Sequence, residues 1–536
     1  MSAASQPELR PAASPAAGTR PLHVLFFMQH LGRYLRFFDS VIRLMLDRGH
    51  SVHLIFEYEE EAPGRLVQAW LRRMERHPRF RSSVSHAWRR DPWFRVARRV
   101  RLVLDYVYFL QVGEDRAPGL VGRSRSRVSR TTRFLFGLPG LRSPRGLRAA
   151  AAVLGAFDRA VPLSRGVQAL VRHEQPDAVL VAPHLMPGST DVHYIRSAAP
   201  TGVPTGLCIA SWDNLSSKQL LRVVPDLLTV WNDAQQEEAV QLHGVPANRV
   251  VVTGAQCFDH WFGWPPRRRE EFLARVGLDP TKPYILYTGG SLFAAWRTEA
   301  EFCIDWIQAI RASGEPALRD AAILIRSHPK RNHEWRQVDF SRFEDVVLWP
   351  PKVESPVEQE TRADYFDSIH HSAVVVGVNT SAMIEAGAIG RAVHTILVTE
   401  FAASQVGVLH FRYLREIGGG LVQVSNDLEE HVRRLEDVMT GRDREGEEAA
   451  RRFTELFVRP QGIRVPATPI FVDAVEELAR RGPHEQAARP RWLLLLRGPL
   501  VLIRVPHFVF RIRLKVAHEL RRLRSEERRV GKECRL

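Results

Sequence analysis

Short apolar runs alternate with amphipathic segments along most of the chain. Residues 22–28 form a continuous apolar run, and a short turn separates it from residues 33–48, in which apolar side chains recur at helical spacing before Gly49. A second predicted strand, Ser51–Phe56, follows directly. Strand, helix and strand in this order form a βαβ unit, which implies a parallel sheet.

The same alternation is repeated in both halves of the chain. Further buried-strand candidates occur at residues 178–182, 205–209, 227–231, 250–254, 283–288, 321–326, 374–378 and 393–398. The Pro- and Arg-rich stretch at residues 265–269 separates the two groups and has the composition of a linker. We therefore predict two Rossmann-like α/β domains, residues 21–264 and 265–482.

The most informative stretch is the passage from strand to helix at residues 374–390. A Val-rich strand leads into Asn379, Thr380 and Ser381, whose side chains suit a helix N-cap, and a helix at residues 382–389 is closed by Gly390. The N-terminus of a helix that directly follows a strand presents backbone N–H groups and partial positive charge. The pattern indicates an anion site.

Glu385 lies one helical turn after Ser381, on the same helix face. A carboxylate repels phosphate, but it accepts hydrogen bonds from ribose hydroxyl groups. Phosphate at the cap and a diol at Glu385 together indicate a nucleoside diphosphate. The alternative is an ordinary strand and helix of a doubly wound domain in which Glu385 is merely solvated.

Two other strand ends in the second domain carry candidate donor-binding residues. Gly289, Gly290 and Ser291 follow one strand, where the glycines allow the backbone to approach a ligand. At the end of the next strand, Arg326, His328 and Lys330 share one side if the chain stays extended, which suits a phosphate-bearing ligand. A buried structural histidine is the alternative for His328.

Three polar positions in the first domain are candidates for acid–base chemistry or acceptor binding. His30 follows the first strand, His184 follows the strand at residues 178–182, and a dense polar run at residues 211–218 follows the next strand. Ligands of open parallel sheets bind at these carboxyl ends. We expect His30, His184 or Asp213 to act as the base and Lys218 to meet a phosphate or the acceptor. Loop filling by His30 and helix capping by Asp213 are the alternatives.

Composition adds a localised positive charge to this picture. The 536 residues include 76 basic and 60 acidic side chains, a net charge of +16. Residues 64–150 alone contain 21 Arg against 5 acidic residues, so the rest of the chain is close to neutral. Four cysteines without CxxC or metal-ligand spacing fit a reducing compartment and offer no metal motif.

Two segments have the amphipathic basic character of membrane-surface elements. The Arg-rich insertion at residues 64–150 interleaves Arg with Trp, Phe and Val, and residues 483–523 are strongly apolar but broken by Arg and Pro. No uncharged run approaches the roughly 20 residues that span a bilayer. We predict contact with an anionic membrane surface or an acidic acceptor rather than nucleic acid. The alternative for residues 64–150 is a solvated helix face, and the alternative for residues 483–523 is a segment that packs as a cap on the fold.

The two ends of the chain are set apart by composition. Residues 1–20 are rich in Ala, Pro and Ser and lack the apolar core of a signal peptide, so we predict a disordered tail. Residues 524–536 look like a translated sequencing-library adapter.

The residues described above resemble a known superfamily. Ser381 and Glu385, followed by Ala386 and Gly390, resemble the donor-site helix of GT-B glycosyltransferases. The window also resembles UDP-N-acetylglucosamine 2-epimerases, which carry Ser-Gly-Gly before the Glu, and CDP-glycerol glycerophosphotransferases, which are closer to the Thr380-Ser381 found here. The latter also carry a His-Pro at the position of His328.

The resemblance implies a GT-B architecture, two Rossmann-like domains facing a cleft. It implies transfer of a sugar or glycerol-phosphate group from a nucleotide-sugar or CDP-glycerol-like donor to a lipid-linked or polysaccharide acceptor, without a further cofactor. Gln405 and His410 would lie near the donor by analogy. The expected location is the cytoplasm, at the inner face of the membrane. A UDP-sugar 2-epimerase and a non-catalytic membrane-associated protein with a degenerate nucleotide site remain alternatives.

Overall fold

The strands of this protein form two separate sheets, both wholly parallel. A computed structural model describes residues 20–57, 65–85, 92–113, 115, 119–182, 191–218, 220–292, 296–351, 359–443, 445–485 and 490–500. Most strand residues are buried, as expected where helices cover both faces of a parallel sheet. The predicted architecture of two Rossmann-like domains facing a cleft is confirmed.

The first sheet has seven strands in the order β3-β2-β1-β4-β5-β6-β7. Its strands are β1 His23–Met28, β2 Ser51–Phe56, β3 Phe80–Val84, β4 Ala178–Ala182, β5 Thr205–Cys208, β6 Leu227–Val230 and β7 Val250–Val252. The chain order reverses between β1 and β4, which pair directly, with Phe26 opposite Leu180. Such a reversal opens a crevice at the carboxyl ends of the two strands.

The second sheet has six strands in the order β10-β9-β8-β11-β12-β13. Its strands are β8 Tyr284–Thr288, β9 Ala322–Arg326, β10 Val346–Leu348, β11 Val374–Val376, β12 Val393–Ile396 and β13 Val422–Ser425. The order reverses between β8 and β11, so the loops after these two strands lie at the switch point of the sheet.

Helices cover both faces of each sheet. Those of residues 31–241 are α1 Leu31–Asp47, α2 Arg65–Met74, α3 Pro92–Val112, α4 Leu120–Arg127, α5 Arg130–Leu135, α6 Pro139–Arg142, α7 Pro144–Ala160, α8 Arg165–Glu174, α9 Asp191–Ala198, α10 Asn214–Ser217 and α11 Asp233–Gln241. Those that follow are α12 Arg269–Val276, α13 Glu299–Arg311, α14 Pro316–Arg319, α15 Asn332–Trp335, α16 Gln359–His370, α17 Ala382–Ile389, α18 Leu409–Glu416, α19 Leu428–Met439, α20 Glu445–Phe453 and α21 Ala467–Arg481. Single 3-10 turns connect several of them, and Thr454–Val458 is π-helical.

The Arg-rich part of the first domain consists of two structurally different pieces. Its beginning, α2 and β3, continues the sheet, because β3 pairs in parallel with β2. Its remainder, α3 to α7, forms a helical layer that runs on to Ala160, with α3 and α7 packed against each other. We call α3 to α7 the helical insertion.

The chain passes between the domains twice, at neighbouring places. It leaves the first domain after a 3-10 segment, Gln256–Gly263, and returns through the π-helical turn to α21, which packs against α1 and the first sheet. Asp259 joins the two passages: its carboxylate accepts hydrogen bonds from Arg459 Nη2 at 2.8 Å and from the backbone N–H of Thr468 at 2.7 Å. In its packing, α21 therefore belongs to the first domain.

The segment at residues 490–500 packs on the helical insertion. Leu493 and Leu500 are buried in an apolar cluster with α3 and α7, and Arg497 Nε donates to Ala160 O at 3.1 Å. The rest of the predicted membrane-surface segment, up to residue 523, lies outside the described residues, as do most of residues 1–20 and all of residues 524–536. Among the described helices, none has the length and apolar character needed to cross a bilayer.

Candidate functional site

A cleft of about 480 Å³ lies between the carboxyl ends of the two sheets. Its first-domain wall comes from α1, α4 and the loop and helix after β5, and its second-domain wall comes from the loops after β8, β9 and β11 and from α17. The polar or charged residues of the two walls are Arg36, Arg123, Ser211, Asp213, Asn214, Ser217, Lys218, Thr288, Ser291, Arg326, Ser327, His328, Lys330, Tyr365, Asn379, Thr380, Ser381, Glu385, Ser404 and His410.

The N-terminus of α17 opens directly into the cleft. Asn379, Thr380, Ser381 and Ala382 all line it. Thr380 Oγ1 accepts from the backbone N–H of Ala382 at 3.4 Å, and the Asn379 amide donates to Ser404 O. The helix ends at Gly390, whose φ of 87° is left-handed, as the sequence predicts. The predicted strand and helix are therefore present, whereas the Ser381 side chain makes no capping hydrogen bond.

Glu385 is a buried carboxylate at the base of the cleft. Only 7% of the residue is exposed, and it lies in the first turn of α17. Burial raises the pKa of its carboxyl group to about 6, while the nearby Arg36 guanidinium, the Tyr365 hydroxyl and Arg326 limit the rise. The structure excludes the interpretation of Glu385 as a solvated side chain.

Arg326, His328 and Lys330 line the cleft together after β9, as predicted. Arg326 Nη1 donates to Asp364 O and to Ser368 Oγ, each at 3.2 Å, and its guanidinium stacks over the Tyr365 ring. Burial of the guanidinium lowers its pKa. Arg326 is therefore a fixed positive charge whose position is set by α16.

His328 is a neutral hydrogen-bonding group rather than a cation. Burial, reinforced by Lys330 and Arg36, lowers its pKa to about 4. Its Nδ1 accepts from the backbone N–H of Lys330 at 3.2 Å, so the neutral ring carries its proton on Nε2. His328 can thus donate one hydrogen bond to a ligand oxygen near neutral pH.

The glycine loop after β8 is held differently from the prediction. Gly289 and Ser291 line the cleft, whereas the Gly290 N–H donates to the buried Glu299 carboxylate at 2.7 Å. A Cβ at Gly290 would lie 2.7 Å from Asn379 O, so only glycine lets this loop approach the start of α17. The predicted contact of Gly290 with a diphosphate is therefore corrected to a role in positioning the loop.

Gln405 also has a positioning role in the structure. It is buried behind the wall, where its Oε1 accepts from Val398 N at 3.0 Å and its Nε2 donates to Ile396 O at 2.8 Å and Val378 O at 3.2 Å. The side chain ties the loop after β12 to the loop after β11. The predicted location beside the donor is replaced by this packing role.

Asp213 and Lys218 form an ion pair on the first-domain wall. The Lys218 Nζ atom lies 2.9 Å from the Asp213 carboxylate, which also accepts from Ser211 Oγ at 2.8 Å and Ser217 Oγ at 2.9 Å. Burial would raise the pKa of Asp213, but Lys218, His410 and these hydrogen bonds hold it well below its usual range. An anion that is stabilised to this degree is a weak base, so the structure argues against Asp213 as the proton acceptor.

Two arginines of the first-domain wall have no counterpart among the predicted residues. Arg36 lies on α1, and its charge acts on both Glu385 and His328. Arg123 comes from α4 of the helical insertion and donates to Ser217 O, beside Asp213 and Lys218. The sequence could have indicated Arg36, because this arginine lies near the start of the helix that follows β1, at the carboxyl end of the first sheet. No local pattern marks Arg123, because only the tertiary fold brings it to the cleft.

His410 is a further histidine of the cleft. Its ring packs edge-on against Trp212, with 4.7 Å between ring centroids, and burial lowers its pKa to about 4, although the charge of Asp213 opposes the shift. His410 is therefore uncharged near neutral pH, and its lowered pKa makes it a weak base. The sequence places His410 near the donor by analogy; the structure places it beside the first-domain wall.

Two predicted catalytic residues remain, His30 and His184. His30 directly precedes α1 and is half-buried, but it is not among the residues that line the cleft, which begin at Gly32. His184 lies within residues 183–190, outside the described residues. In the described ranges no cluster of three or more His, Cys, Asp or Glu side chains could hold a metal ion.

Comparisons with known proteins give similarity only at the level of structure. No protein-family model and no curated protein matches the chain. The chain is similar to a glycosyltransferase from Rickettsia africae ESF-5, with 9% identity, a TM-score of 0.49, and coverage of 85% of this chain and 98% of that one. It is similar to UDP-GlcNAc 2-epimerase from Neisseria meningitidis bound to UDP-GlcNAc, with 11% identity, a TM-score of 0.46, and coverage of 85% and 100%. It is also similar to CalG4, the calicheamicin glycosyltransferase, with 14% identity, a TM-score of 0.41, and coverage of 86% of this chain and 99% of that one. The architecture described above rests on the two sheets themselves.

Proposed function

We propose that the protein transfers a sugar or glycerol-phosphate group from a nucleotide donor to an acceptor bound on the opposite wall of the cleft. The observation that carries this proposal is the convergence of the N-terminus of α17, the buried Glu385 and the polar end of β9 on one cleft between two domains. Together these groups offer one place for a diphosphate and another for a ribose.

Charge decides which part of the donor lies where. The helix N-terminus at residues 379–381, Arg326 and the His328 Nε2–H favour the diphosphate, whereas the Glu385 carboxylate would repel it and would accept hydrogen bonds from the ribose diol. Glu385 follows Ser381 by four positions, which corresponds to an axial rise of about 6 Å along a helix. This spacing matches the separation of adjacent diphosphate and ribose groups in one ligand.

The first-domain wall supports an anionic acceptor. Arg36, Arg123 and Lys218 face the cleft there, and Asp213 is their only acidic neighbour among the residues that line this wall in the described part of the chain. Such a surface suits a phosphate- or carboxylate-bearing acceptor, such as a lipid-linked or polysaccharide substrate. His30 and His184 are our candidates for the base that removes the proton from the acceptor hydroxyl, and His410, a weaker base, is the alternative. We place the reaction in the cytoplasm, at the inner face of the membrane.

Isothermal titration with UDP, CDP, GDP and their sugar or glycerol conjugates tests the donor site. We expect one nucleotide class to bind, and Glu385→Ala to weaken it at least about 100-fold, since two hydrogen bonds to a charged group are lost. The wild type should discriminate against the 2′-deoxy and 3′-deoxy forms of that nucleotide, whereas Glu385→Ala should bind the ribose and deoxyribose forms equally. Glu429→Ala, a change of an exposed glutamate on α19, is the matched control.

The same titration distinguishes the competing functions. Binding that is unchanged in Glu385→Ala would remove the central assignment, and binding of no nucleotide would favour a non-catalytic protein. Once the donor is known, incubation without acceptor separates transfer from epimerisation, because only an epimerase forms product from the sugar nucleotide alone.

A further inference from the structure

The helical insertion exposes a group of large apolar side chains. Phe134, Leu135, Leu138 and Leu141, on α5, α6 and the turn between them, are all exposed, Phe134 by 69%. Scattered exposed apolar residues are ordinary, but four within eight positions form a contiguous projection. This projection lies on the insertion, and none of its residues lines the cleft.

Basic side chains surround this apolar projection. Residues 119–160 contain nine Arg and one acidic residue, Asp158. Asp158 is buried and already paired, 2.8 Å from Arg101 and 3.1 Å from Arg196. Arg130, Arg142, Arg145 and Arg148 are exposed, and none has an acidic partner in the described part of the chain. The surface therefore carries a net positive charge that no carboxylate of the insertion neutralises.

The segment at residues 490–500 adds a second apolar area to the same helix layer. Leu493 and Leu500 anchor it in the cluster with α3 and α7, while Trp492, Leu494 and Leu495 point outwards, Leu495 with 79% exposure. The backbone continues into residues 501–523, so that residues 489–523 contain nine basic side chains and one acidic. The described part of this segment therefore adds exposed apolar side chains to the helical insertion.

Helix α7 carries both areas. Its N-terminal half packs against α6 and its C-terminal half packs against the turn Arg491–Leu494, with the exposed Val153 between them. A helix of 17 residues is about 25 Å long. The two apolar areas thus pack on the same helix. Together with the exposed Arg130, Arg142, Arg145 and Arg148 we call them the apolar–basic surface.

We propose that the apolar–basic surface docks on an anionic lipid bilayer. Aromatic and aliphatic side chains rimmed by arginines insert into the headgroup region, and the arginines add electrostatic attraction to acidic lipids. A protein partner of matching charge would present carboxylates against the arginines, but it would not require so many apolar side chains to remain exposed. The inference does not depend on the nucleotide site.

Vesicle flotation of the full chain tests the proposal. We expect binding to phosphatidylcholine vesicles that contain phosphatidylglycerol, weak binding to phosphatidylcholine alone, and weakening with added salt. The triple variant Phe134→Ser, Leu138→Ser and Leu141→Ser should lower the partition coefficient at least about tenfold. Leu456→Ser with Val465→Ser, two exposed apolar residues remote from the insertion, is the matched control and should bind as the wild type does.

A second variant pair tests the arginines. Arg130→Gln, Arg142→Gln and Arg145→Gln should reduce binding to the anionic vesicles by at least about tenfold. The control with the same change in net charge, Arg412→Gln, Arg433→Gln and Arg480→Gln, alters exposed arginines elsewhere and should have little effect. All variants change exposed side chains, and their unfolding curves should overlie that of the wild type.

Three results would overturn the proposal. The first is no flotation of the wild type with anionic vesicles. The second is equal flotation of the triple apolar variant and its control, which would assign binding to residues 501–536. The third is a wild-type dimer in sedimentation velocity that the apolar variant converts to a monomer, which would identify the surface as a contact between two copies of the chain.

Discussion

The second-domain wall of the cleft is made largely of loops that leave β8, β9 and β11 within a few residues of each strand. The first-domain wall combines side chains from α1, from the loop and helix after β5, and from α4 of the helical insertion. Most residues of the second-domain wall therefore follow directly after an apolar strand in the sequence, and that strand indicates their position. The first-domain wall depends on packing between elements far apart in the chain, such as Arg123 against Ser217.

The pKa values of the carboxyl groups on the two walls are shifted in opposite directions. Asp213 is paired with Lys218 and held by two serine hydroxyls, so its pKa is lowered. Glu385 is buried with less compensation, so its pKa is raised to about 6. A carboxylate whose charge is already satisfied supports the wall, while one that is buried and only partly compensated is available for a ligand. The difference supports a structural role for Asp213 and our proposal that Glu385 binds the donor.

The largest effect that we expect comes from exchanging each carboxylate for its amide. Glu385→Gln should weaken donor binding by about 100-fold, because charged hydrogen bonds to the ribose become weaker neutral ones. Asp213→Asn should change donor affinity less than about threefold, since Asp213 does not contact the donor in our assignment. Titration of both variants with the same nucleotide checks the pair, and equal losses in both would contradict the division between the walls.

The same two variants should shift stability in opposite directions, by about 2 kcal/mol each. The folded-state pKa of Glu385 lies above its ordinary value of 4.5, so the empty protein loses stability as pH rises from 4.5 through about 6. Glu385→Gln should therefore be more stable than the wild type at pH 7. Asp213, whose pKa is lowered from 3.8, contributes stability above that pH and loses it on acidification, so Asp213→Asn should be less stable at pH 7.

Urea unfolding at pH 5 and pH 7 measures both changes. The stability gained by Glu385→Gln should shrink at pH 5, where the wild-type carboxyl is already largely protonated, while the loss in Asp213→Asn should persist. A loss of stability in Glu385→Gln at pH 7 would show that its carboxylate is compensated by partners in the empty protein.

A smaller effect should separate the substrates of the two walls. Arg123→Ala should lower kcat/KM for the acceptor by about tenfold, the usual cost of one charged hydrogen bond, and should leave donor affinity unchanged. Arg125→Ala, on the exposed side of the same helix, is the matched control. If Arg123→Ala weakened the donor instead, the donor would reach across to the first-domain wall.

Local sequence patterns predicted the strands, the passage from β11 to α17 and the polar end of β9, because each combines an apolar run with its cap or turn residues. They did not predict β3, β10 or β13. β3, with Arg81, Ser82 and Ser83, is too polar for a buried-strand pattern, and β10 has only three residues. The role of Gly290 was also missed, because its partner, Glu299, lies on the following helix and becomes relevant only when the loop is folded.

The roles of Arg36, Arg123 and His410 could not be derived from spacing, since tertiary packing brings them to the cleft. Arg123 illustrates the limit: it is one of 21 arginines between residues 64 and 150, and nothing in its neighbours distinguishes it from Arg125 or Arg127. Arg123 differs from the neighbouring Arg125 in its burial and in its position at the cleft, not in residue type.

The two neighbouring passages of the chain between the domains have a mechanical consequence. Two points that are held together at Asp259 define a line, and a rigid domain attached at both can turn freely only about that line. We therefore expect the second domain to move relative to the first mainly by swinging about this line. A swing about this line would change the distance between the walls that carry Glu385 and Lys218 while keeping them opposite each other.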